Sequence, residues 1–154
     1  MKNIRDIRID HLKQKASKVD RNEHIHVTDL SRCLSGVWNE KTGRSKSEVN
    51  DSKLRRFDAG HNIEERVVEA VESAGLLHST QGQLTWPEYN MVGSYDLVMQ
   101  EEDQLWLVEV KSIHPYGMTH LYKSGKVHEH YLEQINLYLS KLKEEFPDIK
   151  ARIY

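Results

Sequence analysis

The chain has 154 residues, 38% of them hydrophobic and 30% charged, with a formal net charge of -2 at pH 7; that is enough for one ordinary domain with a core and too little for two. Its single cysteine, Cys33, excludes an internal disulfide and any cysteine-rich zinc or iron-sulfur centre, and fits a reducing compartment. The opening MKNIRDIRIDHLKQK lacks the apolar core of a signal peptide and no apolar run has membrane length, so a soluble, cytoplasmic protein with no membrane partner is expected.

Charge is unevenly spread. Residues 1–56 carry 14 Lys or Arg against 8 Asp or Glu, and the remainder 8 against 16. A basic half of this kind can meet phosphates while an acidic half holds metal, although ordinary surface variation also produces such asymmetry.

Residues 1–24 read as a polar N-terminal helix or arm, with Ile4, Ile7, Leu12 and Val19 as its few apolar contacts. In HIHVTDLSRCLSGVWNEKTG, Thr28 is a candidate N-cap, and Leu30, Cys33, Leu34, Val37 and Trp38 recur at the spacing of a short packed helix, with Cys33 as a small buried side chain. Arg44 to Arg56 reads as a basic connection that can touch a phosphate backbone through Arg44, Lys46, Lys53, Arg55 and Arg56. A helix from about Leu54 or Phe57 to Gly75 follows, with Ile63, Val67, Val71 and Ala74 on its buried stripe. Glu64 shares a face with Gly60, Val67 and Val71, which makes it the inward carboxylate, and Gly60 leaves room for close approach.

GQLTWPEYNMVGS supplies one more strand, broken or put at an edge by Pro87. Val92–Met99 and Leu105–Ser112 then read as a hairpin around the polar turn at 100–104. SIHPYGMTHLYKSGKVHEH reads as a functional loop carrying Lys123 and Lys126, with a short helix possible within it. Tyr131, Ile135, Tyr138 and Leu142 mark a helix that stacks Gln134 and Tyr138 on one face, and Ile149–Tyr154 reads as a final strand.

Side chains alternate along a strand, so Glu109 and Lys111 share a face, and Asp96 in the neighbouring strand can join them. An acid and a base inside so apolar a run cost desolvation energy unless they pair or bind something. Taken alone they are a same-face salt bridge; the other elements give them company. His24-x-His26 and His128-x-His130 lack the cysteines or the His-Glu-x-x-His helix of a zinc site and read as loop or surface histidines; His114, His120, His128 and His130 can meet phosphate at the site mouth.

Gly60-x-x-x-Glu64 on a helix, Asp96, Glu109-Val110-Lys111 and Gln134-x-x-x-Tyr138 together resemble the PD-(D/E)xK nuclease superfamily, in its RecB-like, Cas4-like or phage exonuclease branch. The resemblance covers about Ile25 to Tyr154, so residues 25–154 are expected to be the nuclease domain, an α/β restriction-endonuclease-like fold with a mixed central sheet flanked by helices. It implies a metal-dependent DNA nuclease, an exonuclease in first expectation, that hydrolyses phosphodiester bonds with a metal-activated water. Glu64, Asp96, Glu109 and the carbonyl of Val110 would hold Mg²⁺ or Mn²⁺, Lys111 would serve the nucleophile, and Gln134 and Tyr138 would contact DNA, Tyr138 also by stacking. One metal or two is open.

This chain departs from the pattern with Tyr95 ahead of Asp96 and with Glu64 where relatives often have a metal-binding histidine. One cysteine cannot carry the iron-sulfur cluster of Cas4. Expected partners are DNA, as single strands or duplex ends, and recombination or replication proteins, with the chain a stand-alone phage or repair nuclease or a subunit. A structure-selective endonuclease and a non-catalytic nucleic-acid-binding module that retains the fold are the alternatives.

Overall fold

The structure is a computed structural model describing residues 3–17, 23–44, 50–113 and 115–154. Val19, Lys46, His114 and the side chain of Ile4 lie outside the described set. The described chain runs α1 (Ile4–Ser17), β1 (Ile25–His26), α2 (Leu34–Lys41), α3 (Asp51–Ser73), β2 (Leu77–Thr80), β3 (Gln83–Trp86), β4 (Met91–Ser94), β5 (Leu97–Glu101), β6 (Gln104–Glu109), α4 (Pro115–Ser124), α5 (Glu129–Leu142) and β7 (Lys150–Ile153).

The α/β class holds, but one central sheet becomes two mixed sheets flanked by helices. Strand order is β1-β4-β3 in one and β2-β5-β6-β7 in the other, with β1 parallel to β4, β7 parallel to β6 and the remaining pairs antiparallel. The reason is a bend shared by two segments. β2 and β3 run opposite β5 and β4 as one antiparallel ribbon that folds at Gln81-Gly82 and Tyr95-Asp96, where Gln81 N–H donates to the Asp96 carbonyl (2.9 Å) and Tyr95 N–H to that of Gly82 (3.2 Å). The strand expected over Val92–Met99 is therefore interrupted at Tyr95-Asp96, and the strand before it is broken at Pro87, one of the two outcomes expected there, by a 3-10 turn (Pro87–Tyr89) between β3 and β4.

Gly82 makes the bend possible, because a Cβ there would come within 2.2 Å of the Tyr95 ring. That ring is buried, with its hydroxyl 3.0 Å from Ser79 Oγ. Gly82→Ala is expected to lower the unfolding free energy by about 1–3 kcal/mol, the usual range for an overpacked contact, as read by urea denaturation.

β5 and β6 close a hairpin over Glu102-Asp103, with Leu97 opposite Val108 and Glu102 at φ 54°. Leu97, Val98 and Leu107 are buried on both sheet faces, as central strands require. β6 ends at Glu109 rather than Ser112, yet pairing continues: Tyr154 N–H donates to the Glu109 carbonyl and Lys111 N–H to the Tyr154 carbonyl, both at 2.8 Å.

α5 lays Ile135, Tyr138 and Leu142 on this sheet against Val98, Leu107 and Ile149. The region expected to be mainly loop holds α4, with Gly117 inside it. Asn50 starts α3 earlier than expected by accepting the Lys53 N–H (2.9 Å), and Gly75, at φ 71°, follows its end. The expected stripe of α3 is only half sheltered: Ile63 is 41% exposed, and Ile63, Val67 and Val71 line an open groove of about 620 Å³ facing Met99, Val108 and Ile153.

α1 packs on α3 through buried Ile9 and Leu12, and is tied by Arg8 to Asp58 and by Lys13 to Asp51 (3.0 Å). Ile7, expected as a contact, is exposed. Around α2, Thr28 falls in a separate 3-10 turn, Cys33 takes the N-cap position and is exposed, and Leu30, Leu34 and Trp38 face outward while Val37 alone within the helix is buried. Helical spacing says that apolar residues share a face, not which way the face points. No described helix is long and apolar enough to cross a membrane.

Candidate active site

Two strand ends and one helix build the site. Register puts Asp96, just ahead of β5, beside Glu109 at the end of β6, and Asp96 Oδ2 accepts the Val110 N–H at 2.7 Å. Glu109 is 1% exposed. Its Oε1 accepts from Lys111 Nζ (2.5 Å) and from Gln134 Nε2 (2.7 Å), while Oε2 is buried with no hydrogen-bond partner among the described residues. Gln134 also accepts from Lys111 Nζ (3.0 Å) and donates to the Tyr138 hydroxyl (3.2 Å). One amide thus ties the acid, the base and the buried tyrosine together.

The electrostatics follow from this crowding. Burial, ahead of repulsion from Asp96 and Glu64, pushes Glu109 up to about 7 against the pull of Lys111. Burial and then Glu64 raise Asp96 to about 6, although the Val110 N–H and Lys111 oppose this. Burial likewise raises the Tyr138 hydroxyl above its usual range.

Asp96, Glu109, Val110, Lys111, Gln134 and Tyr138 are thus brought together. Glu64 stands nearby on α3, 20% exposed at its side chain, with Oε1 accepting from Gln81 Nε2 (3.3 Å) and Oε2 lying 3.6 Å from His61 Nδ1. Its charge reaches both acids, but among the described residues no three His, Cys, Asp or Glu side chains gather closely enough to hold an ion. Asp96 and Glu109 are therefore the pair that could hold a hard cation, with Glu64 acting on both through its charge.

Val110 is tied in by its N–H, which donates to Asp96 Oδ2. Tyr138 is 2% exposed and offers no ring face to a base, so the stacking expected of it is corrected to support of Gln134. Gln134 is occupied by Glu109 and Lys111. Arg55 and Arg56 lie near the start of α3, Lys123 lies in the last turn of α4, and Lys126 lines a small cavity with Lys111.

Sequence reasoning missed two neighbours. Tyr131, assigned only to an apolar stripe, lies with its ring 5.3 Å from Lys111 Nζ; its position three residues before Gln134 was the available signal. Ser112 is the group that approaches Gly60, 3.2 Å from where a Cβ would stand. Comparisons of the chain with protein-family models, with curated proteins and with solved structures returned no match.

Proposed function

We propose that the chain is a metal-dependent DNA nuclease hydrolysing phosphodiester bonds, an exonuclease in first expectation, built on a restriction-endonuclease-like fold. The observation that supports this best is Glu109: a carboxylate 1% exposed at a strand end, beside a second carboxylate, with one oxygen unpaired and an ammonium on the other. A purely structural ion pair favours satisfaction of both oxygens, since an unpaired buried one is destabilising.

An oxygen-only donor set suits Mg²⁺ or Mn²⁺ better than softer metals. Asp96 and Glu109 would hold the ion, with Glu64 and the Val110 carbonyl completing the set. Such an ion, when bound, neutralises charge on the scissile phosphate and lowers the pKa of an attacking water. Lys111 stands beside Glu109 to orient that water and to stabilise negative charge growing on the phosphate. Gln134 holds both side chains in place, and Tyr138 holds Gln134.

A non-catalytic binding module is the second reading, favoured by the direct Lys111–Glu109 contact and by the absence of a gathered three-ligand group among the described residues. Labelled linear and circular DNA, single- and double-stranded, incubated with Mn²⁺ or with EDTA, separates the readings. Mn²⁺-dependent loss of linear substrate alone is expected for the exonuclease. Cutting of circles or branched junctions would assign an endonuclease instead, and binding without cleavage would assign the module.

A further inference from the structure

The hairpin of α4 and α5 carries a row of rings that the proposed chemistry leaves unused. His120 stacks with His128 (centroids 5.8 Å apart, planes 11° apart), and His128 with His130 (5.5 Å, 27°). His130 meets Tyr131 at 4.1 Å, and Tyr131 lies 5.3 Å from Lys111 Nζ. The three histidines are exposed and Tyr131 is half-buried, so the row runs from solvent to the ammonium beside Glu109.

Between the helices, next to the row, lies a cavity of about 140 Å³ walled by Lys111, Met118, Leu121, His128, Tyr131 and Tyr154. Cavities of about 150 Å³ admit one benzene-sized ring. Core packing does not explain exposed rings, His128 makes no side-chain cap on α5, and the described histidines form no group that could hold a metal.

We propose that this row and cavity bind single-stranded DNA, stacking successive bases on the histidine rings and seating one base beside Lys111. The inference rests on the nuclease reading of Asp96, Glu109 and Lys111 for the cleavage step after binding, and deepens that reading by naming the substrate class. Only unpaired bases expose their faces; in a duplex they are covered, so a stacking surface selects single strands or frayed ends. The charge agrees: from Pro115 to Tyr131 the chain carries Lys123 and Lys126 against the lone acid Glu129, a balance that suits phosphates.

The test is fluorescence anisotropy of oligo-dT and of a blunt duplex with the full chain in EDTA, where metal-dependent cleavage is off. Oligo-dT is expected to bind about 10-fold tighter than duplex. Replacing His120, His128 and His130 together by Ala is expected to weaken oligo-dT binding about 10-fold or more while leaving duplex binding unchanged, since each base stacked on an aromatic ring contributes about 5-fold or more. Phe at the same three positions is expected to keep affinity within about 3-fold, because it preserves the ring faces. Circular dichroism checks the fold, and His130→Ala alone serves if the triple variant does not fold.

Equal binding by the Ala variant overturns the proposal. So does a loss with Phe as large as with Ala, which would make the histidines phosphate contacts, and so does preference for duplex. Stacking that passes while Mn²⁺ cleavage fails removes the nuclease reading and leaves the binding surface. Cleavage without strand preference does the reverse.

Discussion

Lys111→Ala is expected to slow Mn²⁺-dependent DNA cleavage by about 10²–10⁴-fold, the range for losing a positioned proton-handling group, while DNA affinity changes far less. Three contacts aim this ammonium: Glu109 Oε1 at 2.5 Å, Gln134 Oε1 at 3.0 Å and the Tyr131 ring at 5.3 Å. Deleting it leaves Glu109 buried without its cation, so some stability is lost as well. Lys111→Met, which keeps the apolar stem, separates that effect from the chemistry and is expected to be as slow as the Ala variant. Lys111→Arg is expected to be slow too, because a planar fork does not fit contacts set for a compact charge. Single-turnover rates beside anisotropy-measured affinities check these values; cleavage within about 3-fold of the parent chain in all three variants would remove Lys111 from the site.

The metal-free protein is expected to lose thermal stability as pH rises from about 4.5 to about 7.5. Asp96 and Glu109 titrate from ordinary values of 3.8 and 4.5 when unfolded, but from about 6 and about 7 when folded. Between those values the folded chain holds more protons than the unfolded one, so the unfolding free energy falls with rising pH. The drop should reach at least about 1 kcal/mol, or roughly 2–4 °C in Tm for a chain of this size. Asp29 acts in the opposite sense at lower pH. Burial alone would raise it, but the His26 N–H, Lys41 and Arg32 outweigh that and hold it below its usual value, so its contribution disappears as acid protonates it.

Stability should therefore peak near about pH 4, below the range in which the two raised carboxylates lose their contribution and above that in which Asp29 loses its own. Mn²⁺ is expected to raise Tm strongly at about pH 7.5 and little at about pH 5, where protons occupy the carboxylates. Scanning calorimetry with EDTA or excess Mn²⁺ reads both effects. A Tm that stays flat across this range would contradict the raised carboxylates, and Glu109→Gln should flatten the metal-free profile.

Periodicity located what is local and repetitive. It assigned β5, β6, α5, the later part of α3 and the hairpin between the two central strands, because alternation and helical stripes are written directly in residue order. It grouped Asp96, Glu109 and Lys111 correctly for the same reason. The break into two sheets was not legible: the bend depends on Tyr95 covering Gly82, a contact between strands that neither local pattern contains. The direction of a stripe was equally hidden. Leu34 and Trp38 repeat as a core residue would and face solvent, while Tyr138, expected to reach DNA, is buried under Gln134. Glu64 was placed on the correct helix face, but how far it stands from the pair is set by the packing of α3.

The route of the chain through β6 and β7 gives the site two closing distances. Asp96 and Glu109 belong to neighbouring strands of one hairpin, so bringing them together closes a short loop. Gln134 reaches Glu109 and Lys111 from α5, within the crossover, and the Tyr154 backbone reaches them only after the crossover returns to pair β7 with β6. Loop-closure entropy grows with contour length, so the crossover half carries the larger entropic penalty. The two carboxylates are thus fixed by the shorter closure, and the amide that aims the ammonium depends on the longer one.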